Sequence, residues 1–113
     1  MQVVQASGVA SSPNPHGVRS QVLWNSDDVQ AVMITIQPGQ AMLSHITPVD
    51  VLFYGLEGEG TVEVGDETTP VGVDTLVFSP KGIPHRPANL EGTVPFRFLV
   101  IKTPHPRLAQ TAR

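Results

Sequence analysis

Gly39-Gln40-Ala41-Met42-Leu43-Ser44-His45 and Pro80-Lys81-Gly82-Ile83-Pro84-His85-Arg86-Pro87-Ala88-Asn89 frame the part of the chain that decides its fold. Between them lies Asp50-Val51-Leu52-Phe53-Tyr54-Gly55-Leu56-Glu57-Gly58-Glu59-Gly60. Each frame carries a histidine beside a turn signal and beside a run that reads as a strand. If the intervening strands close a small barrel, both imidazoles can point into its mouth.

Working outward, the same grammar continues. Residues 19–24 read as a strand, ended by the turn cluster Asn25-Ser26-Asp27-Asp28. In 30–36, Val32, Ile34 and Ile36 alternate with Met33 and Thr35, the period of a pleated strand. Residues 41–45 read as a short strand, interrupted at Thr47-Pro48, where proline removes a donor and restricts its neighbour. Residues 51–56 are apolar on both faces, and 61–64 alternate; the two read as a hairpin. Further strands are expected at 75–79, 85–88 and 96–103, the last with Phe96, Phe98 and Val100 on one face and Leu99 and Ile101 on the other. Residues 1–17 read as an N-terminal arm or edge strand, and 107–113 as a tail. No segment carries an apolar stripe at helical spacing, so the expectation is all-β: a sandwich, barrel or jelly roll.

The composition narrows the function classes. The 113 residues suffice for one domain with one core. Only 15% are charged, so much of the surface is uncharged, which favours a subunit interface; a homodimer is expected. Net charge is −3 with no basic block, which argues against nucleic acid. Cysteine is absent, which removes disulfides and thiolate chemistry. No run approaches the length of a membrane span and no signal-peptide pattern opens the chain, so a cytoplasmic protein is expected.

With those residues in view, the chain resembles the cupin family, in its small single-domain members. The family's first motif is Gly, five residues, His, one residue, His, three or four residues, Glu, six residues, Gly. Here it is carried by Gly39, His45 and Gly58. Its second motif is Gly, five residues, Pro, one residue, Gly, two residues, His, three residues, Asn, carried by Pro80, Gly82, His85 and Asn89. The resemblance covers about residues 30–104 and implies a double-stranded β-helix, or jelly-roll barrel. The departures are specific. The family's second His falls on Thr47, its Glu on Val51 or Leu52, and the first Gly of the second motif on Asp74. Of four metal ligands, only His45 and His85 remain.

Such sites usually need three or four protein ligands, imidazole and carboxylate. A third could come from Asp50, if a bulge turned it inward, or from His16 or His105, if a terminal segment folded over the mouth. Two readings follow. In the first, the barrel binds a small, largely apolar molecule in a pocket of Thr47, Val51, Phe53 and Gly55, with a degenerate metal site. In the second, His45 and His85 hold a divalent Mn, Fe, Ni or Zn ion in a metal-dependent enzyme of the dioxygenase, isomerase, cyclase or lyase type. Gly55 shares the inward parity of Val51 and Phe53, where it would enlarge the cavity or mark a β-bulge. Tyr54, Leu99, Ile101 and Trp24 are expected to face outward. Arg86 could meet a substrate carboxylate or sit solvated in its loop. Ser11, Ser12 and Ser79 lack the context of a nucleophile.

Overall fold

The computed structural model describes residues 1–111. Nine strands follow one another among them: β1 (Arg19–Asn25), β2 (Gln30–Ile36), β3 (Gln40–Ala41), β4 (Asp50–Glu57), β5 (Gly60–Val64), β6 (Glu67–Val71), β7 (Leu76–Ser79), β8 (His85–Asn89) and β9 (Phe96–Thr103). A 3-10 turn at Ala6–Gly8 precedes them and a short helix, α1 (Pro106–Thr111), follows. Five strands form one antiparallel sheet in the order β1-β2-β9-β4-β7, and four form a second in the order β3-β8-β5-β6. From β4 onward the chain alternates between them, with β4 in the first, β5 and β6 in the second, β7 in the first, β8 in the second and β9 in the first. That winding is the double-stranded β-helix the resemblance implied.

Alternation fixes what each strand buries. Val32, Ile34 and Ile36 from β2, Val51 and Phe53 from β4, and Phe96, Phe98 and Val100 from β9 form the core with Val62 of β5 and Val71 of β6. Phe96 and Phe98 are fully buried and stack at a 4.7 Å ring separation. Burying a side chain of that size contributes on the order of 1.5–3 kcal/mol, so this inward row is what holds the two sheets together.

Local chemistry explains where the chain turns. Gly58, at φ 68°, follows a bulge between Gly55 and Glu57 and carries the chain from β4 out of one sheet into the other. The expected hairpin of 51–56 with 61–64 therefore does not form. Instead β5 pairs with β6 through the two-residue turn Gly65-Asp66, with Gly65 at φ 60°. Strand β6 gave no alternation in sequence because its first four residues, Pro70 among them, are exposed at the sheet edge. Asp74 stands where the family motif has glycine and keeps the left-handed backbone, at φ 61°. Aspartate tolerates that region better than most residues. Its carboxylate also accepts the Tyr54 hydroxyl at 2.7 Å.

Three other expectations are corrected. Residues 107–111, read as tail, lie within α1, while 112–113 fall outside the described residues. The strand expected at 41–45 pairs as strand only at Gln40–Ala41, and His45 rejoins the sheet by an isolated bridge to His85. Residues 1–17, read as an arm or edge strand, contain no strand. The N-terminal arm is instead tied to β1 by Gln21, 3% exposed, whose amide donates to the carbonyls of Ala6 and Val9 at 2.7 and 2.8 Å.

Candidate functional site

A cavity of about 300 Å³ opens at one end of the barrel, within the size range of small-molecule sites. Its apolar wall includes Val32, Ile34, Val51, Phe53 and Val100, and its polar groups include His16, His45, His85 and Lys102. Residues 12–16 close one side. That strap is folded on itself, with Asn14 donating to the carbonyl of Val18 at 2.7 Å and accepting from the His16 amide at 3.1 Å.

The two motif histidines meet through the backbone. The His45 amide donates to the His85 carbonyl at 3.1 Å, and the His85 amide donates back at 2.9 Å. Side chains of such a directly opposed pair project from the same face, which brings the rings together at 4.4 Å, edge to face. Phe53 packs edge-on against His85 at 5.2 Å.

Hydrogen-bond logic sets the tautomers of the neutral rings. The Leu43 carbonyl can only accept, so His45 Nδ1, 3.0 Å away, carries a proton and donates. His45 Nε2 is then a lone pair, and the His85 Nε2–H, 3.1 Å from it, donates. Thr47 Oγ1, 3.2 Å from His85 Nε2, shares that donor. His85 Nδ1 is left to accept, and the buried Ser79 hydroxyl donates to it at 2.8 Å. Leu43 closes a second latch: its amide donates to His16 Nδ1 at 2.8 Å, and the His16 and His45 rings lie 4.8 Å apart. One backbone residue thus fixes both His16 and His45.

Burial lowers the His85 pKa to about 4, with repulsion from His45, Lys102 and His16 adding to it. Burial also lowers the pKa of His16, with His45 and Lys102 contributing, and burial lowers that of Lys102. The site therefore resists taking up protons that solvent-exposed bases would accept.

The expected site residues divide. Val51 and Phe53 line the cavity; Thr47 and Gly55 do not. Thr47 is 5% exposed and spent on His85. Gly55 does not enlarge the cavity, because a β-carbon there would collide with the Gly72 carbonyl oxygen; the glycine permits a close approach of two backbones beside the bulge. Among the candidate third ligands, His16 comes over the mouth. Asp50 faces the turn instead, accepting from the Lys81 amide at 3.0 Å. His105 is committed at the chain end, with Nδ1 accepting from the Arg107 amide at 3.2 Å and Nε2 3.3 Å from the Gln30 amide. Arg86 donates to the Met42 carbonyl at 3.2 Å and takes no part in the cavity wall.

Among the described residues, no three His, Asp or Glu side chains converge to hold a metal. The donor set does not fit a resident ion: two imidazoles already bonded to each other, a hydroxyl where a third imidazole would stand, and a valine where a carboxylate would stand. Lys102 and Ser79 were missed as site residues. Lys102 was legible by extending the inward row Phe96, Phe98, Val100 by two; Ser79 had no signal beyond its strand.

A family model described as the cupin domain matches residues 32–102. The chain belongs to the cupin family. The protein TT1209 of Thermus thermophilus is 30% identical over 94% of this chain and all of its own, with a TM-score of 0.80. A predicted oxalate decarboxylase of Thermotoga maritima is 19% identical over 90% of this chain and 98% of its own, with a TM-score of 0.80. The polyketide cyclase RemF of Streptomyces resistomycificus is 23% identical over 91% of this chain and 79% of its own, with a TM-score of 0.79. The latter two likenesses establish the shared cupin barrel and not a shared reaction. No curated protein matches the chain.

The depressed His85 basicity has a consequence for stability. A base whose folded pKa lies below its unfolded value, here about 4 against 6.5, contributes fully above pH 6.5 and loses that contribution as pH falls toward 4. The loss amounts to about 3 kcal/mol at most, less whatever solvent screening at the cavity mouth removes. Urea unfolding across this interval should show it, and His85→Gln should flatten that part of the profile. An unchanged profile in the variant contradicts the assignment.

Proposed function

We propose that this cupin binds a small, largely apolar molecule inside its barrel, with the paired histidines as a polar wall and without a resident metal. The observation that supports this most directly is the cavity at the motif histidines: Val51 stands where the family motif has its carboxylate, and the wall beside it is aliphatic and aromatic. Apolar lining with a few convergent polar groups is the usual form of a small-molecule site. Losing the motif carboxylate also removes the family's usual general base, which disfavours proton-abstraction chemistry.

Chemical-shift mapping with short aliphatic and single-ring aromatic probes tests the reading. Perturbations are expected at Val51, Phe53 and Val100, and Val100→Phe, which fills the cavity, should abolish them. Shifts scattered over the exterior, or surviving in the filled variant, contradict it.

We also infer a homodimer formed through the outer face of the five-stranded sheet. Phe78, Leu52 and Ile101 form one cross-strand row there, and Leu76, Tyr54 and Leu99 form the next. Leu76 and Phe78 are 60% and 55% exposed, in contiguous apolar rows rather than scattered singly. A second copy presenting the same face would cover both rows by two-fold symmetry. Sedimentation should give a dimer that Phe78→Asp converts to monomer; a monomeric native protein sinks the inference.

A further inference from the structure

Lys102 is the group that the cavity reading leaves unexplained. It follows Phe96, Phe98 and Val100 on the inward face of β9, and its cross-strand neighbour on β4 is Val51, part of the cavity wall. It is partly buried and lines the cavity itself. Among the described residues its ammonium has neither a hydrogen bond nor an ion pair; the ion pairs present are Arg97–Glu57 and Arg107–Asp27, both elsewhere. An ammonium drawn out of water without a counter-charge is costly, and a methionine of similar length would pack the same position without that cost.

The surroundings deepen the imbalance. The chain as a whole carries a net charge of −3, yet the cavity lining contains three histidines and one lysine and no Asp or Glu. His16 accepts from the Leu43 amide at Nδ1, so its remaining ring nitrogen is an N–H donor. A bound molecule with an acceptor-rich, negative end would satisfy the His16 N–H and the Lys102 ammonium and offset the buried charge.

We propose that the ligand is an amphipathic monocarboxylate, its apolar body against Val51, Phe53 and Val100 and its carboxylate paired with the Lys102 ammonium beside the histidines. This rests on the barrel being a small-molecule site, and it adds the chemical class. A single negative charge matches the single full cation; a dianion would be left partly uncompensated while His85 stays neutral. Ammonium–carboxylate pairs held away from water are stronger than neutral hydrogen bonds, so the acid should be preferred over its own amide.

Calorimetric titration of the full chain with hexanoate and hexanamide, and with benzoate and benzamide, tests this near neutral pH. The carboxylates should bind about tenfold or more tighter than the amides. That preference should vanish in Lys102→Met, and in Lys102→Gln as a second variant in case the first misfolds, while amide binding persists. Equal affinity of acid and amide in the native protein overturns the carboxylate assignment and leaves the apolar site standing. A preference that survives both variants overturns the role of Lys102. Binding of none of the four probes overturns the underlying reading of the cavity, and this proposal with it.

Discussion

The reciprocal backbone bonds between His45 and His85 are the constraint on which the working end of this barrel depends. They dock the segment after β3 onto β8 beyond the last formal strand pairing. They oppose two residues far apart in sequence, so the rings must share one face. Everything at the mouth follows from that placement. Leu43, two residues before His45, is positioned to accept from His45 and donate to His16, which brings the N-terminal strap over the opening. Ser79 and Thr47 then hold His85 from two sides.

The same arrangement governs the chemistry. In a metal-holding cupin the motif imidazoles aim lone pairs at a common ion, supported by a carboxylate. Here the His85 proton lies between the two Nε2 atoms; its direction is set from one end by the Leu43 carbonyl, which can only accept, and the Ser79 hydroxyl complements it by donating to His85 Nδ1. Thr47 and Val51 at the other ligand positions leave the mouth largely hydrophobic, with His16 and Lys102 as its free donors. Among the residues that line the cavity, Lys102, at the end of the buried row Phe96, Phe98 and Val100, is the one side chain that is cationic at neutral pH by its ordinary chemistry.

Much of this was legible in the sequence because period-two alternation and turn residues report burial directly. Strands β2 and β9 were readable to the residue, since each has a core face and a differing outer face. Strand β6 was not, because an exposed edge strand containing proline carries no alternation to read. The hairpin expected after β4 failed because periodicity says nothing about which sheet a strand joins; the bulge at Gly55 and the left-handed Gly58 decide that. The motif spacing placed His45 and His85 together. Parity placed Val51 and Phe53 on the cavity wall and Gly55 on the same face, but it could not foresee that the Gly72 backbone fills the space beside Gly55. His16 was visible only as a histidine in a loop, because its role depends on a strap whose path is set by tertiary hydrogen bonds.

At the centre of this barrel mouth the motif histidines are bonded to each other. Long-range nitrogen–proton NMR of the imidazoles near neutral pH, before and after one equivalent of Zn(II) followed by desalting, tests that pairing most directly. The expected result is a proton on Nε2 of His85 and on Nδ1 of His45, with both patterns unchanged by the metal. Loss of the His85 Nε2 proton, with both Nε2 resonances moved to metal-bound positions that survive desalting, would contradict it.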